Sequence, residues 1–267
     1  MSPLGPFDLH DRRVVVTGIS QGIGRALALA LSRAGARVAG VHLGTDAYDQ
    51  GCGESLRAAL TDAGTEHYVA IGDCGDSGVH DRLAVAVVRE WGGIDVWINN
   101  AARLLVKPFV EMSDADWHGL LQANLHGYFY GCRAAARAMI ASGGGRIINV
   151  TSAADVLVVA NLSAYISAKG GIVALTKELA VELAPHNITV NAIAPGATDT
   201  PLNAAAYTTD VRAAYNARIA LGRIASPEEI ADATLFLATD ASRYVTGQEL
   251  LVDGGLSING TVGHALS

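Results

Sequence analysis

The sequence has few cysteines and few charged side chains. Its 267 residues include three cysteines, Cys52, Cys74 and Cys132. They are too few and too far apart for a disulfide framework or a Cys-x-x-Cys metal site, so we expect free thiols in a reducing cytosol and no bound metal. The formal net charge is −7, which leaves no excess of positive charge to attract DNA or RNA.

Long apolar runs are missing as well. Residues 1–13 lack the apolar core of a signal peptide. Residues 147–168 carry one charge, at Asp155, but Asn, Thr and Ser interrupt them, which an isolated membrane span does not tolerate. Half of the residues are hydrophobic and 17% are charged, a balance that disfavours disorder. We therefore expect a soluble, cytoplasmic globular protein with no membrane partner.

The chain does contain a regular alternation of two kinds of segment. Short β-branched apolar segments predict strands at 13–17, 37–43, 67–71, 94–99, 145–151, 188–193 and 249–252. Ala- and Leu-rich segments predict helices at 22–34, 53–63, 76–91, 114–141, 163–184, 201–219 and 227–238. Apolar strands joined by helices are typical of a parallel sheet covered on both faces. We predict an α/β fold with a doubly wound, mostly parallel sheet of the Rossmann type, forming one domain over residues 1–267.

A glycine-rich turn follows the first predicted strand. Residues 17–24 read TGISQGIG and lead into the first predicted helix. Glycine permits a sharp turn and a close approach to a pyrophosphate, and the helix N-terminus attracts phosphate charge. This context predicts a dinucleotide site. Its candidate residues are Gly18, Ser20, Gln21, Gly22, Ile23 and Gly24.

Tyr165 and Lys169 are four residues apart in a predicted helix, so their side chains share one face. A free tyrosine has a pKa of about 10 and is a poor base at neutral pH. A nearby ammonium group, together with the positive nicotinamide of an oxidised cofactor, would lower the pKa of the phenol. The pair could then exchange a proton with an alcohol or ketone while the cofactor exchanges a hydride.

These motifs resemble the short-chain dehydrogenase/reductase family, and the resemblance covers nearly the whole chain. The family carries the same G-x-x-x-G-x-G turn and Tyr-x-x-x-Lys pair, and Ser152 stands thirteen residues before Tyr165, as its catalytic serine does. Asn124 matches the asparagine of a water-mediated proton relay; its amide could also satisfy backbone groups at a helix kink. The resemblance implies a catalytic tetrad of Asn124, Ser152, Tyr165 and Lys169. It also implies an NAD(P)-dependent enzyme that interconverts a secondary alcohol and a ketone.

The resemblance extends to further cofactor contacts. Residues 99–102 match a family segment that ends in glycine, so Ala102 is a departure that could tighten the floor beneath the cofactor. In the family, the lysine also binds ribose hydroxyls, a residue after the third strand contacts adenine, and a later loop closes over the nicotinamide. The matching residues are Asp73, Cys74, Asn100, Ala101, Tyr165, Lys169, Pro195, Gly196, Thr198 and Thr200.

The second predicted strand bears on the choice between NAD and NADP. NAD-preferring members place an acidic residue at its end, where this sequence has His42. The basic residue that usually faces the 2′-phosphate of NADP is missing too. His42 and Thr45 could donate hydrogen bonds to a phosphate, whereas Asp46 and Asp49 would oppose one. The balance leans weakly to NADP, with NAD as the alternative.

Two segments are expected to shape the substrate pocket. Residues 153–164 are largely aliphatic, and residues 201–219 resemble the family's mobile lid. The lid segment contains Tyr207, Arg212, Tyr215 and Arg218. An apolar wall favours a compact or moderately hydrophobic secondary alcohol or ketone over a highly hydroxylated one.

Three alternative functions stay open. A 3-oxoacyl-carrier-protein reductase shares the overall pattern, but an acidic carrier needs basic docking residues. The expected rim segments, 139–146 and 184–187, offer only Arg146 and His186. A polyol or sugar dehydrogenase is equally open. A non-catalytic, cofactor-binding regulatory protein is disfavoured because the tetrad is intact.

The predicted helices at 114–141 and 163–184 are apolar around much of their circumference. Such a helix needs a second packing partner. Burial within one layer of helices would supply it, but the family resemblance favours helices that pair across a two-fold axis. We expect a homo-oligomer, with the tetramer as the family's usual form.

Overall fold

Strands form where the chain supplies short runs of Val and Ile. The computed structural model describes residues 5–260. The strands are β1 (Arg13–Thr17), β2 (Arg37–His42), β3 (His67–Ile71), β4 (Val96–Asn99), β5 (Gly145–Val150), β6 (Ile188–Pro195) and β7 (Glu249–Val252). They form one sheet in the order β3-β2-β1-β4-β5-β6-β7, and each neighbouring pair is parallel. The predicted fold class is confirmed; the first four and last seven residues of the predicted domain lie outside the described residues.

Helices connect the strands and cover both faces of the sheet. They are α1 (Gly22–Arg33), α2 (Ala47–Asp62), α3 (Ser77–Trp91), α4 (Asp114–Leu121), α5 (Gly127–Ser142), α6 (Ser163–Glu182), α7 (Thr209–Arg218) and α8 (Pro227–Ala238). Val14 and Val16 of β1 pack with α1, α2 and α8, whereas Val15 packs with α3, α5 and α6. Alternate strand residues therefore build two separate cores. Within residues 5–260, no helix combines the length and hydropathy needed to cross a bilayer.

Helix α2 begins at Ala47, six residues before its predicted start at 53. Asp46 caps it by accepting a hydrogen bond from the backbone N–H of Asp49 at 2.8 Å. Gly51 and Gly53 lower the helix propensity of this segment, so the sequence pattern did not predict the first turn of α2. The early start places Asp49 beside the end of β2.

The single helix predicted at 114–141 is divided in the structure. Helix α4 begins with a capping box between Ser113 and Asp116, and a π-helical turn, Gln122–His126, separates it from α5. Such insertions often lie at functional sites, and this one carries Asn124. The helical stretch predicted at 201–219 is also divided, into a 3₁₀ turn, Pro201–Asn203, and α7.

Candidate active site

A cavity of about 730 Å³ lies at the carboxyl edge of the sheet. It opens where β1 and β4 are neighbours, the point at which the strand order reverses direction. Doubly wound sheets bind ligands at this position. The segments that follow β1, β2, β4, β5 and β6 all contribute to its wall.

The glycine-rich turn forms one end of this cavity. Gly18 has a φ of +68°, and a Cβ there would lie 2.8 Å from the Cα of Ala101. A Cβ on Gly24 would overlap the carbonyl oxygen of Gly18. Asn100 ties the turn to the end of β4 by donating to the carbonyl oxygens of Thr17 and Gly18 at 3.0 and 3.1 Å. The turn is thus a tight backbone cradle at the N-terminus of α1, which fits a dinucleotide pyrophosphate.

Ser152 and Tyr165 both line the wall of the same cavity. Burial raises the pKa of Tyr165 above its ordinary value of 10.0, and the neighbouring hydroxyl of Ser152 offsets only part of this shift. Asp155 adds a further upward contribution. Burial therefore dominates the pKa of the phenol among the described residues, and its lowering by Lys169 together with an oxidised nicotinamide stays a prediction.

Lys169 is fully buried, and its ammonium group points at a backbone carbonyl. Its Nζ donates to the carbonyl oxygen of Val150 at 2.7 Å and to the hydroxyl of Tyr128 at 3.2 Å. The same nitrogen lies 5.6 Å from the ring centre of Tyr165. Burial lowers the pKa of Lys169 to about 7. The sequence offered no signal for Tyr128, which reaches Lys169 from α5 across the end of β5.

Asn124 acts as a clamp on the loop after β4. Its Oδ1 accepts from the backbone N–H of Arg103, and its Nδ2 donates to the carbonyl oxygen of Arg103, both at 2.8 Å. The side chain is fully buried, and among the described residues it is not part of the cavity wall. The geometry therefore shows the backbone-satisfying role of this amide. The proton-relay role stays a prediction.

Most predicted cofactor residues come together in the cavity wall, and Gly24 lies behind them. The hydroxyl of Thr198 donates to the carbonyl oxygen of Gly196 at 3.0 Å, and Thr200 packs against Gly22. The residues of the prediction that line the wall are Gly18, Ser20, Gln21, Gly22, Ile23, His42, Asp73, Cys74, Asn100, Ala101, Tyr165, Lys169, Pro195, Gly196, Thr198 and Thr200. The chemistry of this set fits a dinucleotide.

The other end of the cavity is mainly apolar. Tyr207 and Tyr215 lie over it with ring centres 5.3 Å apart, and an ion pair of 2.6 Å between Arg212 and Asp199 holds α7 to the loop after β6. The predicted aliphatic wall lines the cavity only in part, since the side chain of Val158 is 74% exposed. Apolar lining residues at this end are Leu104, Leu157, Val159, Leu162, Leu202 and Val211.

The rim segments considered for a carrier protein lie elsewhere. Arg146 is at the beginning of β5, where it donates to Asp240 at 2.8 Å, and His186 precedes β6. Both are at the amino edge of the sheet, opposite the cavity. The prediction that they flank the mouth of the site is wrong, because the sequence pattern did not show at which edge of the sheet each segment lies.

Comparisons with known proteins identify relatives over nearly the whole chain. The family model described as enoyl-(acyl carrier protein) reductase matches residues 18–257. 3β-Hydroxysteroid dehydrogenase 1 of Eggerthella lenta is 37% identical over 94% of this chain and 95% of its own length. Cis-4-hydroxycyclohexanecarboxylate dehydrogenase of Sinomonas cyclohexanicum is 40% identical over 92% of this chain and 96% of its own. Further relatives, 33–37% identical, are named as sugar, polyol or 3-oxoacyl-carrier-protein enzymes.

Solved structures show the same relationship. The crystal structure of a short-chain type dehydrogenase/reductase from Mycobacterium marinum superposes with a TM-score of 0.90 at 33% identity, covering 96% of this chain and all of the other. The chain belongs to the short-chain dehydrogenase/reductase family. It is an NAD(P)-dependent oxidoreductase that interconverts a secondary alcohol and a ketone, as predicted.

Proposed function

We propose that the enzyme acts on a compact, moderately hydrophobic secondary alcohol or its ketone, with Tyr165 as the general acid and base. The observation that carries this proposal is that Ser152 and Tyr165 lie together in the wall of a cavity whose substrate end is apolar. A half-buried phenol beside an apolar wall can reach the oxygen of such a substrate with little competition from water.

Each residue of the tetrad then has a separate task. The hydroxyl of Ser152 holds the substrate oxygen against the phenol of Tyr165. In oxidation, the alcohol O–H bond breaks and Tyr165 takes the proton; in reduction, Tyr165 returns it to the ketone oxygen. The ammonium group of Lys169 supplies positive charge to the site, and the side-chain amide of Asn124 fixes the loop after β4. Pro195, Gly196 and Thr198 would hold a nicotinamide, which would supply or accept the hydride at the carbinol carbon.

The substrate class is argued from the cavity wall. The phenols of Tyr207 and Tyr215 lie in an aromatic pair above aliphatic side chains such as Leu157, so a ring or short branched chain could bury its carbon surface there. Two relatives are named for alicyclic alcohols, which supports this class. We also propose that residues 201–219 act as the lid.

A substrate panel tests the proposal. Cyclic alcohols and ketones, polyols, sugars and 3-oxoacyl thioesters should be assayed by nicotinamide absorbance with both cofactors. The expected result is a higher kcat/KM for a cyclic or short-chain secondary alcohol than for any polyol. A preference for a sugar or polyol would favour the first alternative, and a preference for a 3-oxoacyl thioester would favour the second; either would overturn the substrate class.

We further propose that the enzyme is a cytoplasmic homotetramer. Its three cysteines are unpaired, as expected in a reducing compartment. Apolar side chains on the helices that the sequence marked for pairing are exposed: Phe129 and Ile140 on α5, and Val181 on α6. A second copy of the chain could cover them.

A further inference from the structure

His42 lines the cavity at the end of β2, but the nitrogen atoms of its ring do not face the cavity, as a contact with the cofactor would require. The imidazole is fully buried, and its Nδ1 lies 3.0 Å from Oδ2 of Asp49 on α2. Its Nε2 has no hydrogen-bond partner among the described residues and lies where a Cβ on Gly53 would overlap it. Both ring nitrogens are therefore directed at α2, so the side chain has no donor left for a phosphate in the cavity.

Asp49 supplies the acidic side chain that the end of β2 lacks. Its Oδ1 accepts from the hydroxyl of Ser20 in the glycine-rich turn, and its Oδ2 accepts from the backbone N–H of Gly44, each at 2.5 Å. The carboxylate is thus fixed between the turn and the end of β2, and it lines the cavity. Burial alone would raise the pKa of Asp49, but the hydrogen bonds outweigh it and lower the pKa below 3.8, so the group is ionised at neutral pH.

The charges at this end of the cavity are negative. We call the part formed by the glycine-rich turn and the end of β2 the adenosine end; Asp46 and Asp49 both line it. Among the described residues of the cavity wall, Lys169 and Arg103 are the only Lys or Arg, and both lie towards the catalytic end. Arg25 on α1 is outside the wall and donates to Ser55 of α2 at 3.2 Å.

We infer that Asp49 makes this enzyme select NAD over NADP, because its fixed carboxylate accepts from ribose hydroxyls and repels a 2′-phosphate. The inference rests on the proposed function only in placing a dinucleotide in this cavity. An acid that serves this purpose usually stands on the second strand itself. Here it is supplied from the first turn of α2, and His42 and Ser20 are the positioning residues. The preference is the reverse of the weak lean that the sequence suggested.

Calorimetric binding of NAD⁺ and NADP⁺ to the whole enzyme tests the inference without any turnover. The wild type should bind NAD⁺ at least about tenfold more tightly than NADP⁺ at low salt. The ratio of the two dissociation constants should shrink as added salt screens the repulsion between Asp49 and the 2′-phosphate. In Asp49→Asn, which keeps the size of the side chain and its acceptor oxygen, the ratio should fall by about tenfold, mainly through tighter binding of NADP⁺.

Asp62→Asn is the matched control, because it removes the same charge from the exposed far end of α2 and should leave the ratio unchanged. An equal change in Asp62→Asn, or no change in Asp49→Asn, would overturn the role of Asp49. If Asp49→Asn does not fold, the wild-type measurement still tests the inference. Tighter binding of NADP⁺ than of NAD⁺ by the wild type would contradict it. Failure to bind either nucleotide would instead count against the proposed function.

Discussion

Burial and two hydrogen-bond acceptors determine the charge state of Lys169. Burial lowers its pKa to about 7, while the carbonyl oxygen of Val150 and the hydroxyl of Tyr128 accept from its Nζ and favour the charged form. Only the charged form helps Tyr165 to lose its proton. Because burial raises the pKa of Tyr165, alcohol oxidation should quicken as the pH rises towards about 7, above which Lys169 loses the charge that assists it, whereas ketone reduction should tolerate neutral pH.

Tyr128→Phe tests this arrangement at a residue that the sequence did not mark. The change removes an acceptor from the ammonium of Lys169 while keeping the ring, whose centre lies 4.8 Å from Nζ. The charged lysine should become less stable, so the pH profile of oxidation should move upward by roughly one unit. Tyr130→Phe, two residues along α5, should leave the profile in place. An unmoved profile in Tyr128→Phe would show that its hydroxyl has no positioning role.

At the scale of elements, an ion pair joins the beginnings of two neighbouring strands far from the cavity. Arg13 of β1 contacts Asp95, just before β4, through Nε and Nη2 at 2.7 Å each and through its backbone N–H at 2.8 Å. Burial would raise the pKa of Asp95, but these bonds outweigh it and the pKa lies below 3.8. The pair thus stabilises the pairing of β1 with β4 above pH 3.8, and the stabilisation is lost as the pH falls through the lower folded-state pKa.

Asp95→Asn should lower the free energy of unfolding by about 1.5–3 kcal/mol, since it weakens charge-assisted hydrogen bonds to a mostly buried group. Urea titration at fixed protein concentration measures the change, and kcat should stay at the wild-type value. Asp11→Asn, in the exposed contact with Arg37, is the control and should have little effect. A fall in kcat at unchanged stability in Asp95→Asn would contradict this division between scaffold and site.

The elements also show what the sequence could and could not predict. The bounds of β3, α8 and β7 agree with the prediction because their patterns are uniform. The start of α2 was missed because two glycines follow its capping residue, and with it the sequence missed that Asp49 reaches His42. Contacts such as Lys169 with Tyr128 depend on how α5 and α6 pack across β5, which no local pattern encodes.

The whole molecule leaves apolar helix faces in contact with solvent. Val181 on α6 is 79% exposed and Val85 on α3 is 67% exposed. Light scattering at micromolar concentration should give about four times the 27.6 kDa of one chain. Val181→Asp should shift the particle to a smaller size without unfolding it. A wild-type particle of one chain mass would contradict the proposed assembly.

Tyr165→Phe is the decisive test of the proposed chemistry, because the reaction depends on this one hydroxyl. Turnover on the best substrate of the panel should fall by about 10²–10⁴-fold or more, while the calorimetric Kd for the nucleotide stays close to the wild-type value. Tyr130→Phe should keep full activity. Wild-type turnover in Tyr165→Phe would contradict the central claim, and loss of nucleotide binding with a folded chain would show that the phenol holds the cofactor instead of moving the proton.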